Sequence, residues 1–430
     1  MKRTLSVLLA LLMVVTLFAG TAAAEEKFQS RKIKMLSIWD DTDPSTNGYI
    51  IAELSKQYAE TVEGFELDYE FVSIDQLDTK VSTYLQGELP DVLVYESGVR
   101  LKKVIESGKI LDIDKAFTEM GIRDVLDDGA VSLLTNLVDG IGLYDLPLGL
   151  NVEGFWYNKA LFEQAGIEKA PETWDEFMVA CQKLVDAGIE PIVQGGKDKW
   201  PMTRVLNAYL VRSVGLNAVK DAVEGKAKFT DPEYVAAAQM FADMAQKGYF
   251  VEGMTTIDPA TASAMLESGD AAIKYDGSWY TDRLNQLDNM AGPEGIGFFN
   301  VPVVTGVEAG GTLDDYSMNC GNILMVSADA YDEQLQHWMK FVFTRIGDFA
   351  MQNNGSFKGY KINEYPEMTA YTQIVADALR TAKGSFLWFE AKMDSESSQI
   401  AQNNIAMLYS GEMTAEEYMN QLQESIERNR

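Results

Sequence analysis

Apolar and polar positions along the chain switch between a period of two and a period near 3.6, and the switches mark its elements. Lys32 to Ile38 reads as a strand, and Phe65, Leu67, Tyr69 and Phe71 recur at every second position as a strand with one buried face does. Between them Ile50, Ile51, Leu54 and Tyr58 share a helical face; Leu77, Val81, Tyr84 and Leu85 form another before Pro90, Asp91 and the strand VLVY, and a further helix runs to Lys109. This strand–helix alternation predicts α/β architecture built on mostly parallel, doubly wound sheets.

The middle of the chain is richer in punctuation. Residues 152–157 (VEGFWY) read as a strand, Asn158 as the N-cap of a helix stopped by Gly166, and Thr173 with Glu176 as a capping box. Trp174, Phe177, Met178, Cys181, Leu184 and Val185 then share one helical face. Further on, Asp231 and Pro232 open a helix that closes at Gly248, and a short helix runs to Ser268 before GDAAIKYDGSW. Strands near Ile296 and Ile323 flank a glycine-rich loop at 304–312, a helix carries Leu335, Trp338 and Val342, and a second capping box spans Thr414 to Glu417. No long linker or internal repeat interrupts this order.

The succession of a strand bearing Leu146 and Pro147, then FWYNKALF, AGIEKAPETWDEF and DAGIEPI, resembles the family 1 extracellular solute-binding proteins of ABC sugar importers, and GDAAIKYDGSW resembles that family's second signature. The resemblance implies a two-lobed periplasmic-binding-protein-like fold, each lobe a mostly parallel sheet flanked by helices, joined by a multi-stranded hinge. It implies crossings near Leu150, Asn319 and Ile362, so that residues 25–150 plus 319–362 form lobe one and 151–318 plus 363–430 lobe two. It also implies capture of a carbohydrate, an oligosaccharide in particular, between closing lobes, with delivery to the transmembrane subunits of an ABC importer.

The 430 residues, 47% of them hydrophobic, are enough for two such cores. Lys2 and Arg3 precede an apolar run from Leu5 to Phe18 and then small residues up to Ala24, the pattern of a secretory signal covering residues 1–24. The run is shorter than the roughly 20 residues of a spanning helix. Relatives in the family are often lipoproteins, but Leu17, Phe18, Ala19 and Gly20 lead here to Thr21, on which no thioether lipid can be built. The expectation is an extracytoplasmic monomer beginning near Glu25. A net charge of −29, more acidic still once Lys2 and Arg3 are removed, argues against nucleic acid and anionic membrane as partners. Cys181 and Cys320 read as buried thiols, since two cysteines make no disulfide framework.

A sugar cleft needs flat rings for C–H faces and carboxylates or amides for hydroxyls. Trp39, Trp200 and Trp279 sit at strand ends or glycine-bearing loops beside polar residues and suit that work; Trp156, Trp388 and Tyr95 are further ring candidates. Trp174 and Trp338 belong instead to packing faces. Asp43, Glu96, Asn151, Asp276 and Asn319 are the candidate hydroxyl partners. Gly277 is expected to permit the turn that presents Trp279.

Catalysis is not expected. Nothing among the 65 acidic residues singles out a glycosidase pair, and the one histidine, His337, is placed on a solvated helical face. The same scarcity argues against a zinc site or other cofactor, and DDTDP lacks the spacing of a calcium loop. Two alternatives stay open: a non-sugar solute such as glycerol phosphate or a peptide, for which Arg100 and Arg204 would have to face the cleft, and a secreted glycosidase.

Overall fold

Four consecutive apolar residues make β3 (Val92–Tyr95) a strand buried on both faces, and the first sheet grows around it. In the computed structural model, which describes residues 30–430, β3 pairs in parallel with β1 (Lys32–Ser37), which pairs in parallel with β2 (Glu66–Phe71). The far edge is β8 (Ile323–Val326), antiparallel to β3. The proposed signal segment lies outside the described residues.

Helix Asn47–Thr61 starts where the Thr46 side chain accepts from Tyr49 N and buries Ile50, Ile51, Leu54 and Tyr58, the face its spacing predicts. Helix Glu333–Phe343 packs beside it through Trp338, whose indole N–H donates to Ser55 at 3.0 Å. His337 on that helix is exposed, but its Nδ1 lies 2.9 Å from the Tyr58 hydroxyl, so it is a bonded side chain and not merely a solvated one.

The second sheet is centred on β4 (Asn151–Asn158). β5 (Ile273–Gly277) covers one edge, while β7 (Asp315–Asn319) and β6 (Ile296–Phe299) share the other. All three run antiparallel to β4, and only β9 (Gly384–Phe386), beyond β7, pairs in parallel. This corrects the expectation of a mostly parallel sheet in the second lobe. The cause is the hinge: β4 begins at Asn151 and β7 ends at Asn319, and these two residues face each other in the ladder. A chain that enters and leaves a sheet at one point must do so in opposite directions.

Helices cover both faces of this sheet. On one, Phe155 packs with Trp174 and Phe177 of helix Trp174–Asp186, which opens on the capping box of Thr173 and Glu176, and with helix Trp200–Ser213. Cys181 is a buried free thiol in that core and Cys320 one in the first core.

Arg212 is buried at the end of helix Trp200–Ser213 and is satisfied by backbone alone. Its Nε reaches Val301 O at 3.2 Å, Nη1 reaches Gly310 O at 2.8 Å and Thr312 O at 2.9 Å, and Nη2 reaches Asp315 O at 2.8 Å. Burial brings its pKa down to about 10, still charged at neutral pH. The clamp folds the glycine-rich loop so that β7 arrives beside β4. Arg212→Ala would strand these carbonyls without donors, so we predict a loss on the order of 3 kcal/mol, seen as a lower urea midpoint, with Arg212→Lys intermediate. A midpoint equal to wild type would show that the loop does not need the clamp.

Candidate functional site

Parallel strands end together, and the carboxyl end of the first sheet carries Trp39, two residues past β1, with Tyr95 and Glu96 at the end of β3. Trp39 is half-buried, its carbonyl accepting from the Tyr69 hydroxyl at 2.9 Å. Glu96 and Asp78 hold Arg100 Nη1 at 2.9 Å and 3.1 Å. Asp43 is exposed, and its Oδ1 accepts from the Ser45 amide at 2.9 Å and the Ser45 hydroxyl at 2.7 Å, an Asx turn that shapes its own loop.

From the second lobe comes helix Trp200–Ser213. Lys199 immediately before it holds φ 68 and ψ −51, a rare conformation for a residue with a side chain and one that costs free energy, as backbone at functional sites often does. One turn on from Trp200, Arg204 lies with its guanidinium carbon 5.4 Å from the Trp200 ring and 5.6 Å from the Trp388 ring. Arg204 Nε is 3.0 Å from Glu153 Oε2, and its Nη1 is 3.0 Å from Glu390 Oε2. Burial works against this charge, but Glu153 and Glu390 outweigh it, and the Arg204 pKa stands above its ordinary value. Thr203 donates to Glu390 at 2.5 Å.

Trp279 completes the wall, its ring 6.2 Å from Trp200 and edge-on. The role of Gly277 differs from the expected turn. Its φ is not positive; a Cβ there would collide with the Trp279 ring, so glycine is needed for close approach. Gly277 pairs with Glu153 across the ladder, and paired residues share a face, so Trp279 lies over the same face as Glu153 and Arg204.

Asn151 and Asn319 sit at the base, where Asn151 Nδ2 donates to Asn319 Oδ1 at 3.0 Å and Asn319 Nδ2 donates to Glu153 Oε1 at 2.7 Å. Two expected residues fall elsewhere. Trp156, three residues from Glu153, points to the opposite face of the sheet, fully buried among Leu266, Tyr280 and Tyr371 with its N–H on Asp276 O at 3.1 Å; no ring surface is left for a ligand. Asp276 also faces that side, buried in an ion pair with Lys274.

Residues 387–393 tie the lobes together. Trp388 and Ala391 pack with the first core, Phe389 and Met393 with the second, and Lys392 Nζ reaches Leu137 O at 2.9 Å and Asp139 at 2.8 Å. Glu96 and Arg100 of the first lobe lie within electrostatic reach of Glu390. Glu153 and Glu390 were not picked out from the sequence. The signal for Glu153 was its place two residues after Asn151, on the same strand face. A second groove of about 710 Å³, on the other face of the crossing strands, is lined by Leu150, Met318, Phe357, Tyr365 and Arg380 and holds none of the expected residues except by proximity in sequence. Among the described residues no cluster of three or more histidine, cysteine or acidic side chains could hold a metal ion, and no helix is long and apolar enough to cross a membrane.

Two sheets with separate cores, joined by paired crossing strands over a groove, define the two-lobed periplasmic-binding-protein fold. The chain belongs to the bacterial extracellular solute-binding proteins, whose family profile it matches over residues 43–346. It is similar to an ABC transporter extracellular-binding protein of Pyrococcus horikoshii (22% identical over 265 residues, 61% of this chain and 56% of that one). It is also similar to the multiple sugar-binding protein of Streptococcus mutans (23% over 228 residues, 52% and 48%). The matches thus span about half the length of these relatives. Among solved structures it superposes on a chitin oligosaccharide binding protein (TM-score 0.83, 23% identical, 93% of this chain and 99% of that one). It superposes as well on the binding protein RafE in complex with raffinose (TM-score 0.72, 17%, 93% and 99%).

One buried acid near the hinge has no charged partner. Asp145, in the segment entering the crossing, is fully buried. Burial pushes its pKa from 3.8 up to about 7, opposed only in part by the neighbouring Ser97 hydroxyl. Between those values the folded protein holds a proton that the unfolded chain releases, so this group makes stability fall as pH rises from about 4 to about 7. Asp145→Asn should remove that fall. Its melting temperature should match wild type near pH 4 and exceed it increasingly up to pH 8; parallel profiles would show that Asp145 takes up no proton on folding.

Proposed function

We propose that this protein is an extracytoplasmic binding protein, not an enzyme, that captures a carbohydrate, in particular an oligosaccharide, between its lobes and delivers it as a monomer to the transmembrane subunits of an ABC importer. The observation that carries this reading is the aromatic wall of Trp200, Trp279 and Trp388 set beside charges already compensated. Indole faces match the C–H faces of sugar rings, and Glu96, Glu390 and the base amides are the groups suited to hydroxyls. A ligand touching both lobes stabilises the closed state by its differential affinity for that state.

The arginines weigh against a phosphate-bearing solute. Arg100 Nη1 is held by Asp78 and Glu96, and Arg204 by Glu153 and Glu390, so both charges are already compensated by carboxylates. The same pairing weighs against a glycosidase, since Glu153 and Glu390 are committed to Arg204 and not to a leaving-group oxygen.

The test is a thermal-shift screen with maltotriose, cellotetraose, xylotetraose and chitotetraose against glycerol phosphate. At 100 times its dissociation constant a ligand adds about 2.7 kcal/mol, and a rise with glycerol phosphate alone would overturn the reading. Trp279→Ala should then weaken the bound sugar by about 2 kcal/mol while lowering the melting temperature less than Trp174→Ala, a core truncation. If Trp279→Ala melts far lower yet binds normally, its ring is packing and not a platform.

A further inference from the structure

The aromatic wall is connected to the hinge by a continuous path of hydrogen bonds and one ion pair. It starts at the paired residues of the two crossing strands, Asn151 and Asn319. From Asn319 Nδ2 it passes to Glu153 Oε1 at 2.7 Å, from Glu153 Oε2 to Arg204 Nε at 3.0 Å, and from Arg204 Nη1 to Glu390 Oε2 at 3.0 Å. A branch runs the other way: the Ser278 hydroxyl donates to Asn151 Oδ1 at 3.2 Å, and Ser278 is the residue before Trp279. Every member is at least nearly buried, and Glu153 is buried completely.

We infer that Glu153 is a positioning residue that sets the placement of Trp200 and Trp388 through Arg204 and ties that placement to the hinge. Its location decides this. Glu153 stands on the strand that crosses between lobes, third in line from the crossing point, and faces helix Trp200–Ser213. Asn319 Nδ2 donates to one of its oxygens and the Arg204 guanidinium stands 3.0 Å from the other as an ion pair, so a side chain there must accept a hydrogen bond and carry negative charge. Only a carboxylate does so, and a carboxylate also compensates the guanidinium that separates the two indoles. Glu390 alone is not equivalent, because it belongs to the segment that packs against both cores and would move with it. Rotation of the lobes about Asn151 and Asn319 reorients the amides on which Glu153 rests, so the spacing of the wall depends on the angle of the hinge. The wall is therefore set differently in the open and closed molecule, and a ligand stacked on it favours one setting.

This inference rests on the carbohydrate reading only for its ligand arm. Glu153→Gln keeps the shape and an acceptor for Asn319 but removes the charge that faces Arg204. In the ligand-free, folded variant we expect a changed near-UV circular dichroism spectrum and shifted tryptophan emission. Binding to whichever of the four oligosaccharides the wild type takes should weaken at least tenfold. A second variant, Glu153→Asp, keeps the negative charge facing Arg204 but draws the carboxylate back by one methylene. It should regain melting temperature but neither the spectrum nor the affinity, whereas a role limited to charge burial would restore all three. The inference is overturned if Glu153→Gln keeps the wild-type spectrum and emission, or if Glu153→Asp recovers affinity. Should the wild type bind none of the sugars, the functional reading falls, and the ligand-free spectra still decide the role of Glu153.

Discussion

The antiparallel pairing of β4 with β7 at Asn151 and Asn319 is the constraint from which the rest of the molecule follows. Because the two crossings meet in one ladder, the lobes share a fixed line, and the groove must open on the side where the strand faces carry polar residues. On that side stand Asn151, Glu153, Ser317 and Asn319; on the other stand Val152, Trp156 and Met318. The Asn151–Glu153 end of one face becomes the floor of the groove, while Phe155 continues that face into the core and the opposite face carries Trp156 and the rear groove. The Arg212 clamp serves the same end, since without it the glycine-rich loop would not deliver β7 to that register.

Charge compensation shapes the groove as strongly as topology does. Removing one partner from a buried ion cluster typically costs 3–5 kcal/mol, because the remaining charge is left without water. Arg204 therefore does not act as a free cation. It is held on two sides by carboxylates and flanked by two indoles, which makes it a rigid spacer between rings. Arg100 repeats the arrangement in the first lobe with Asp78 and Glu96. The groove thus presents ring faces and carboxylate oxygens, with its positive charge buried behind them.

Much of the fold was legible in the sequence because local chemistry decides it. The capping boxes at Thr173 and Thr414 close as their spacing implies, and VLVY is the doubly buried strand that four apolar residues predict. Strand direction was not legible, since a period of two is the same read either way and the antiparallel second sheet is set by where the chain crosses. The site divides likewise. Trp200, Trp279 and Trp388 converge with the base amides, but Trp156 and Asp276 fall on the opposite face: alternation from Glu153 puts Trp156 there, and the ladder pairs Asp276 with Gly154. Asp43 is exposed and shapes its own turn through Oδ1, a local role its neighbours in sequence do not announce. Glu153 and Glu390 went unnoticed because one carboxylate among 65 has no signature until its partner is in place.

The remaining charges bear on how the groove would close. Asp198, in the turn before Trp200, is pushed up first by burial and then by Asp258 and by Asp75, which comes from the other lobe; Lys197 opposes them. Glu390 likewise acts across the groove on Glu96. Like charges facing each other from two lobes favour separation, and their repulsion grows as water is expelled between them. Arg100 and Arg204 offset part of it, but each is already shared between two carboxylates of its own neighbourhood. Bringing the lobes closer therefore has to offset this repulsion.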